Sequence, residues 1–191
     1  MIAPTYGSSF GNSFDRLADD DDPAFPPEPA APPAPLACAF WLAGACFAID
    51  VAVVREVAEL ARVLNLPRTP ALVLGLAPMR GAAVAVIDLA GVLDIPGPRP
   101  SVAGRALVLD LPDGASVLRI AVPVDKVEGV FPRDGSLAPP ALAHDWSLGV
   151  QEFSRRPGLV ATVIDPEALC ARAARLRPRR GGAPLAGIGK A

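Results

Sequence analysis

The chain has 191 residues, of which 51% are hydrophobic, 20% charged and 5% aromatic. That apolar share excludes a wholly disordered chain, and 23 prolines with 17 glycines exclude a helical bundle, because each proline removes a backbone donor and fixes φ. The net charge of −2 conceals opposite ends: residues 1–36 carry six acids against Arg16, whereas from Arg172 onward there are six bases and no acid. No broad basic face of the kind a nucleic-acid binder needs follows from this balance.

Residues 1–36 read as a disordered leader, with the self-repelling run Asp19–Asp22 followed by seven prolines between Pro23 and Pro35. The folded part is expected over 37–177 and a basic, flexible tail over 178–191. The most apolar stretch, Leu36 to Ile49, is stopped by Asp50 and is too short to span a bilayer. No basic segment leading into an apolar run marks a signal peptide. The expected location is the cytoplasm, where Cys38, Cys46 and Cys170 would be buried, reduced thiols.

Apolar runs at 38–42 and 46–50 around Ala43-Gly44 predict a hairpin. Asp50 then predicts the cap of a helix over 51–61, with Val53, Val57 and Leu60 on one face. Two-residue alternation predicts a strand at 82–87, and Asp88 caps a short helix carrying Leu89 and Leu93. Strands follow at 105–111 and 116–122 around Pro112-Asp113-Gly114, and another apolar run covers 122–131. Asp125 and Glu128 are placed at the edge of that run. The last helix begins at Asp165 with Pro166 and Glu167, carries Arg172, Arg175 and Arg177 in its last turn, and stops at Pro178.

One segment occurs twice. Leu74-Gly75-Leu76 leads to Gly81 and, seven positions on, Asp88; Leu148-Gly149-Val150 leads to Gly158 and, seven positions on, Asp165. Strand, turn, strand and capped helix used twice predict two similar small barrels packed together.

The chemistry of an enzyme is missing. His144 is the only histidine, so no two-histidine metal site exists, and neither a nucleophile elbow nor a phosphate-binding glycine loop is present. Asp88 and Asp165 read as helix caps, and His144 as a solvent-facing residue or a partner of Asp145. No catalytic residue, metal or cofactor is expected, and the chain reads as a binding module.

Three stretches together resemble the CheW-like domain, the adaptor module of bacterial chemosensory arrays. They are Phe47-Ala-Ile-Asp-Val-Ala-Val-Val-Arg-Glu-Val57, then Val73-Leu-Gly75 with Met79-Arg80-Gly81 and Val84-Ala-Val-Ile-Asp88-Leu89, then Val122-Pro-Val-Asp-Lys-Val127-Glu-Gly-Val130. The resemblance covers about 38–176. It implies a mainly β fold of two five-stranded SH3-like barrels with short helices. It also implies a non-catalytic role coupling the cytoplasmic tip of methyl-accepting chemoreceptors to the regulatory domain of a CheA-type histidine kinase, in chemotaxis, gliding or pilus-type signalling. Carried over residue by residue, Val54, Glu56, Val63, Gly75, Arg80 and Val127 would form the receptor-binding surface. The alternatives at these positions are structural: valines that fill the core, Arg80 paired with Glu56, a glycine that permits a turn. Ala77-Pro78-Met79-Arg80 replaces the family's Asn-Leu-Arg turn, and Ala85 stands where the family commonly has proline. A second expectation is a scaffold or localisation factor that docks on arrays through this domain while its tails do the work. A third, ranked lower, is a salt-sensitive membrane or nucleic-acid contact through Arg172–Arg180.

Overall fold

The structure, a computed structural model, describes residues 34–140 and 144–176; the expected leader over 1–36, apart from its last three residues, and the expected tail over 178–191 lie outside the described residues. The described chain forms β1 (Leu36–Leu42), β2 (Ala45–Asp50), a single 3-10 turn (Val51–Val53), β3 (Val54–Leu60), β4 (Val73–Met79), β5 (Ala82–Ile87) and α1 (Leu89–Val92). It continues with β6 (Gly104–Asp113), β7 (Ser116–Pro123), β8 (Lys126–Pro132), β9 (Ser147–Glu152), β10 (Val160–Ile164) and α2 (Pro166–Ala174). The strands make two five-stranded curled sheets, ordered β8-β1-β2-β10-β9 and β3-β6-β7-β5-β4.

The two orders superimpose strand for strand: β3, β4, β5, β6 and β7 correspond to β8, β9, β10, β1 and β2. The barrels are therefore not consecutive in sequence. The central barrel is continuous from β3 to β7, and the outer barrel takes two strands from before it and three from after it. Each has one parallel pair at the equivalent place, Ala85 opposite Ile120 and Thr162 opposite Phe47.

Side-chain size decides which face of each strand points where. Ala37, Ala39 and Ala48 face the interior of the outer barrel with Phe153, and Ala77, Ala106 and Ala121 face that of the central barrel with Leu60 and Val86. The alternate positions carry Phe40, Leu42, Phe47 and Ile49 from one sheet and Leu107, Leu109, Ile120 and Val122 from the other, which meet in one shared core with both helices. Strong curvature leaves little room inside each barrel, so alanines predominate on the inner faces of β1, β6 and their neighbours with a few larger residues such as Phe153 and Leu60, and most of the bulky side chains fill the seam.

Gly75 and Gly149 explain the repeated segment. Both have φ of 143°. A Cβ on Gly75 would collide with the Leu64 carbonyl and lie 2.7 Å from Val63 Cγ1, and one on Gly149 would lie 2.7 Å from the Ala138 carbonyl oxygen. That absence of a side chain lets the preceding segment lie against the strand. The Leu64 amide donates to Leu76 at 2.8 Å, and the Ala138 amide donates to Val150 at 2.8 Å. In both copies the hairpin then runs into an aspartate cap: Asp88 accepts from the Gly91 amide and Asp165 from the Glu167 amide.

The helix expected over 51–61 is absent. Asp50 does cap, accepting from the Ala52 amide at 2.8 Å, but only one 3-10 turn follows before the chain extends into β3. Val51, Val53, Val54 and Val57 are β-branched and favour extended backbone. From Val54 to Leu60 exposure alternates every second residue, with Arg55, Val57 and Glu59 outward. Three apolar residues fitted a helical spacing while the burial follows a strand. The apolar run over 122–131 takes in the end of β7 and most of β8, with the break at Val124-Asp125.

Candidate functional site

The hairpin end of the central barrel carries a ring of charge. β3 bulges against β6 so that Val54 faces Leu109 and Glu56 faces Val108, leaving Arg55 as the extra residue. Arg80 and Gly81, with φ of 45° and 83°, form the two-residue turn between β4 and β5. The turn brings the Arg80 guanidinium to 2.7 Å from the Glu56 carboxylate, with Arg80 80% exposed and Glu56 only 18%. Beside them Arg119 grips Asp110 with two bonds of 2.6 and 2.9 Å, and Arg55 adds a third at 3.1 Å. The Arg119 hydrogen bonds hold the Asp110 carboxyl below its usual range. Met79, Ala82 and Val84 line the small recess under these groups.

The outer barrel repeats the construction with different side chains. β8 bulges against β1 so that Val127 faces Phe40 and Gly129 faces Ala39, leaving Glu128 as the extra residue. Glu128 thus occupies the place of Arg55, and Val127 that of Val54. The Glu128 carboxylate accepts from Trp41 Nε1 at 3.0 Å and pairs with Lys126 at 2.8 Å and Arg156 at 2.7 Å, while remaining only 5% exposed. Sequence reasoning put Glu128 at the edge of an apolar run; the structure places it at the covered centre of this network. Lys126 and then Trp41 hold its carboxyl below the usual range. The same end of the barrel opens into a cleft of about 370 Å³ lined by Trp41, Lys126 and Arg156 with the turn at Pro157-Gly158. Nothing in the spacing of the sequence signalled this network, because its four members come from three separate segments.

Burial and then the Glu128 charge push the Cys46 thiol up to about 11, and burial alone does the same for Cys38. All three thiols are buried, which leaves Cys38 and Cys46 protonated and poor nucleophiles. His144 faces solvent and stacks on Trp146 at 4.8 Å, while Asp145 pairs with Arg172 instead. Among the described residues no group of three or more His, Cys, Asp or Glu could hold a metal ion. No helix among them is long and apolar enough to cross a membrane.

The six residues expected at the receptor surface fall in three places. Glu56 and Arg80 form the ion pair at the barrel end. Val63 touches Gly75 where the preceding segment closes the central barrel, and packs on that barrel's interior. Val54 and Val127 stand at equivalent positions of the two barrels and pack against the shared core.

Next to Gly75 lies an open apolar groove of about 210 Å³. Val73 and Leu76 of β4, Ala85 and Ile87 of β5, and Leu118 and Ile120 of β7 form its floor. Ala173 and Leu176, in and just after α2, form one wall, so a helix that follows the outer barrel borders a groove on the central one. Leu64 and Leu66, on the segment that closes the barrel, are exposed beside it.

The model of the family described as CheW-like domain matches residues 37–174. Among solved structures, the chain is similar to the scaffolding protein TtCheW from Thermoanaerobacter tengcongensis, with 22% identity and a TM-score of 0.59 over 74% of this chain and 91% of that one. At that identity the likeness concerns the fold. No curated protein sequence matches.

Proposed function

Since the chain belongs to the family of CheW-like domains, we propose that it is a non-catalytic adaptor that couples chemoreceptor tips to a CheA-type histidine kinase at membrane-associated arrays in the cytoplasm. Family membership and the scaffolding fold support the general adaptor role. The finer reading is carried by the open aliphatic groove at the junction of α2 and the central sheet. A helical hairpin presents apolar side chains at i, i+3 and i+4, which is the pattern such a groove takes. Glu56 and Arg80 supply a polar rim one hairpin away, where an exposed guanidinium can exchange its intramolecular carboxylate for one on a partner. Holding receptor and kinase on one small body raises their effective concentration without any chemistry by the adaptor itself.

Co-purification of the full chain with its cognate receptor tip and with the kinase regulatory domain tests this reading. Retention of both supports it, and failure to retain either overturns it. Arg80→Ala should weaken receptor retention while changing stability by less than about 1 kcal/mol, since the guanidinium side of the pair is exposed to solvent. A large drop in melting temperature would instead assign Arg80 to holding the barrel end together.

A further inference from the structure

The strand correspondence predicts that the apolar groove has a counterpart, and it does. In the central barrel Ala85 lies between Leu76 and Ile120; in the outer barrel Thr162 lies between Val150 and Phe47. Val150, Thr162 and Phe47 line an open groove of about 320 Å³. Where α2 walls the first groove, Asp94 and Ile95, just after α1, wall the second.

The two grooves differ in lining and in rim charge. The first is aliphatic, and the exposed Arg68 and Arg175 adjoin its lining residues Thr69 and Leu176. The second is aromatic: Phe47 and Trp146 lie 6.1 Å apart, and His144, which also lines the groove, stacks on Trp146 at 4.8 Å. Its rim is acidic. Arg172 bonds Asp94 at 3.0 Å and Asp145 at 2.7 Å, yet the two carboxylates are 81% and 73% exposed while the arginine between them is 23% exposed. Two anions thus face solvent and their single counter-charge is turned inward.

We propose that this second groove is a docking site for a protein segment that presents a bulky apolar side chain next to a lysine or arginine. The aromatic walls take the apolar side chain, and the excess of exposed carboxylate selects a neighbouring cation over an anion. The inference goes beyond the adaptor reading and does not need it, because the receptor assignment concerns the central barrel. It gives one small body two equivalent grooves of different lining, one aliphatic and one aromatic with exposed carboxylates beside it, and so two sites that favour different partners.

The test uses the full chain and NMR, where the single histidine, His144, gives an unambiguous ring signal. The probe is acetyl-Phe-Arg-amide, with acetyl-Phe-Glu-amide as the charge-reversed control. Saturable shifts of His144 and of the Trp146 indole with the arginine peptide are expected, with binding about two- to five-fold weaker for the glutamate peptide. Asp94→Asn removes a rim charge but keeps a residue that tolerates the φ of 55° found there, and should weaken the arginine peptide about two- to five-fold at an unchanged melting temperature. Asp145→Asn should do the same and serves if the first variant is unstable. No saturable shift, equal response to both peptides, or wild-type binding in a stable Asp94→Asn protein would overturn the proposal. Failure of the receptor reading would leave these His144 shifts in place, so the two can fail separately.

Discussion

At the bulge of the central barrel Arg55 lies against Asp110, and at the equivalent bulge of the outer barrel Glu128 lies against Trp41. The backbones agree down to the skipped residue, the parallel pair, the φ of the closing glycine and the aspartate that caps the next helix. The side chains at the barrel ends and in the grooves do not agree at all. What is shared is what the backbone cannot do without, and what differs is what a second molecule could touch. The central barrel pairs an exposed Arg80 with a largely covered Glu56, and carries an aliphatic groove. Its counterpart sinks its carboxylate beneath an indole and pairs an aromatic groove with an acidic rim.

The sharpest way to break the equivalence is through the glycines. Gly75→Ala and Gly149→Ala should each cost about 2–4 kcal/mol in urea unfolding, because each places a Cβ against a backbone carbonyl at positive φ. Similar costs would show that both barrels close by the same device. A cost below about 0.5 kcal/mol at either would show that its closing bridge is dispensable. Arg172→Ala comes next, at about 1–2 kcal/mol by thermal unfolding. It loses hydrogen bonds to the Val92 carbonyl, Asp94 and Asp145, which tie α2 to the end of α1.

Acid should separate the two networks further. Asp110 and Glu128 both have their carboxyls held below the ordinary range, chiefly by Arg119 and by Lys126. The stability they contribute is therefore complete above the unfolded value near pH 4, and is lost as the pH falls through the lower folded values. Asp110→Asn and Glu128→Gln should each flatten the fall of melting temperature below about pH 4.5. An unchanged acid limb in either variant would mean that its cations do not stabilise the charged form. The smallest effect concerns the thiols: with Cys38 and Cys46 held up at about 11 and buried, iodoacetamide at pH 8 should label neither until the protein unfolds.

Much of the fold was legible because local rules wrote it. Asp88 and Asp165 cap helices where the spacing predicted, and Gly75 and Gly149 mark the same step in both copies. Residues 51–61 misled because valines at helical spacing satisfy a strand equally well, and only the pairing of β3 with β6 decides between them. The Glu56–Arg80 pair was readable as one of two alternatives, since both residues lie in local motifs. The Glu128 network and both grooves were not, because they join segments more than eighty residues apart, such as Trp41 with Glu128. No periodicity reports such distances.

The interleaved strand order sets a schedule for synthesis. As the chain leaves the ribosome, β3 to β7 can complete their sheet once residue 123 has emerged. The β1–β2 hairpin must by then have waited, its Phe40 and Phe47 without their final neighbours, because β8, β9 and β10 are still unmade. In the finished fold Phe40 and Phe47 share the seam core with Leu107, Leu109, Ile120 and Val122, so the central barrel already holds contacts that this hairpin needs before the rest of its own sheet is made.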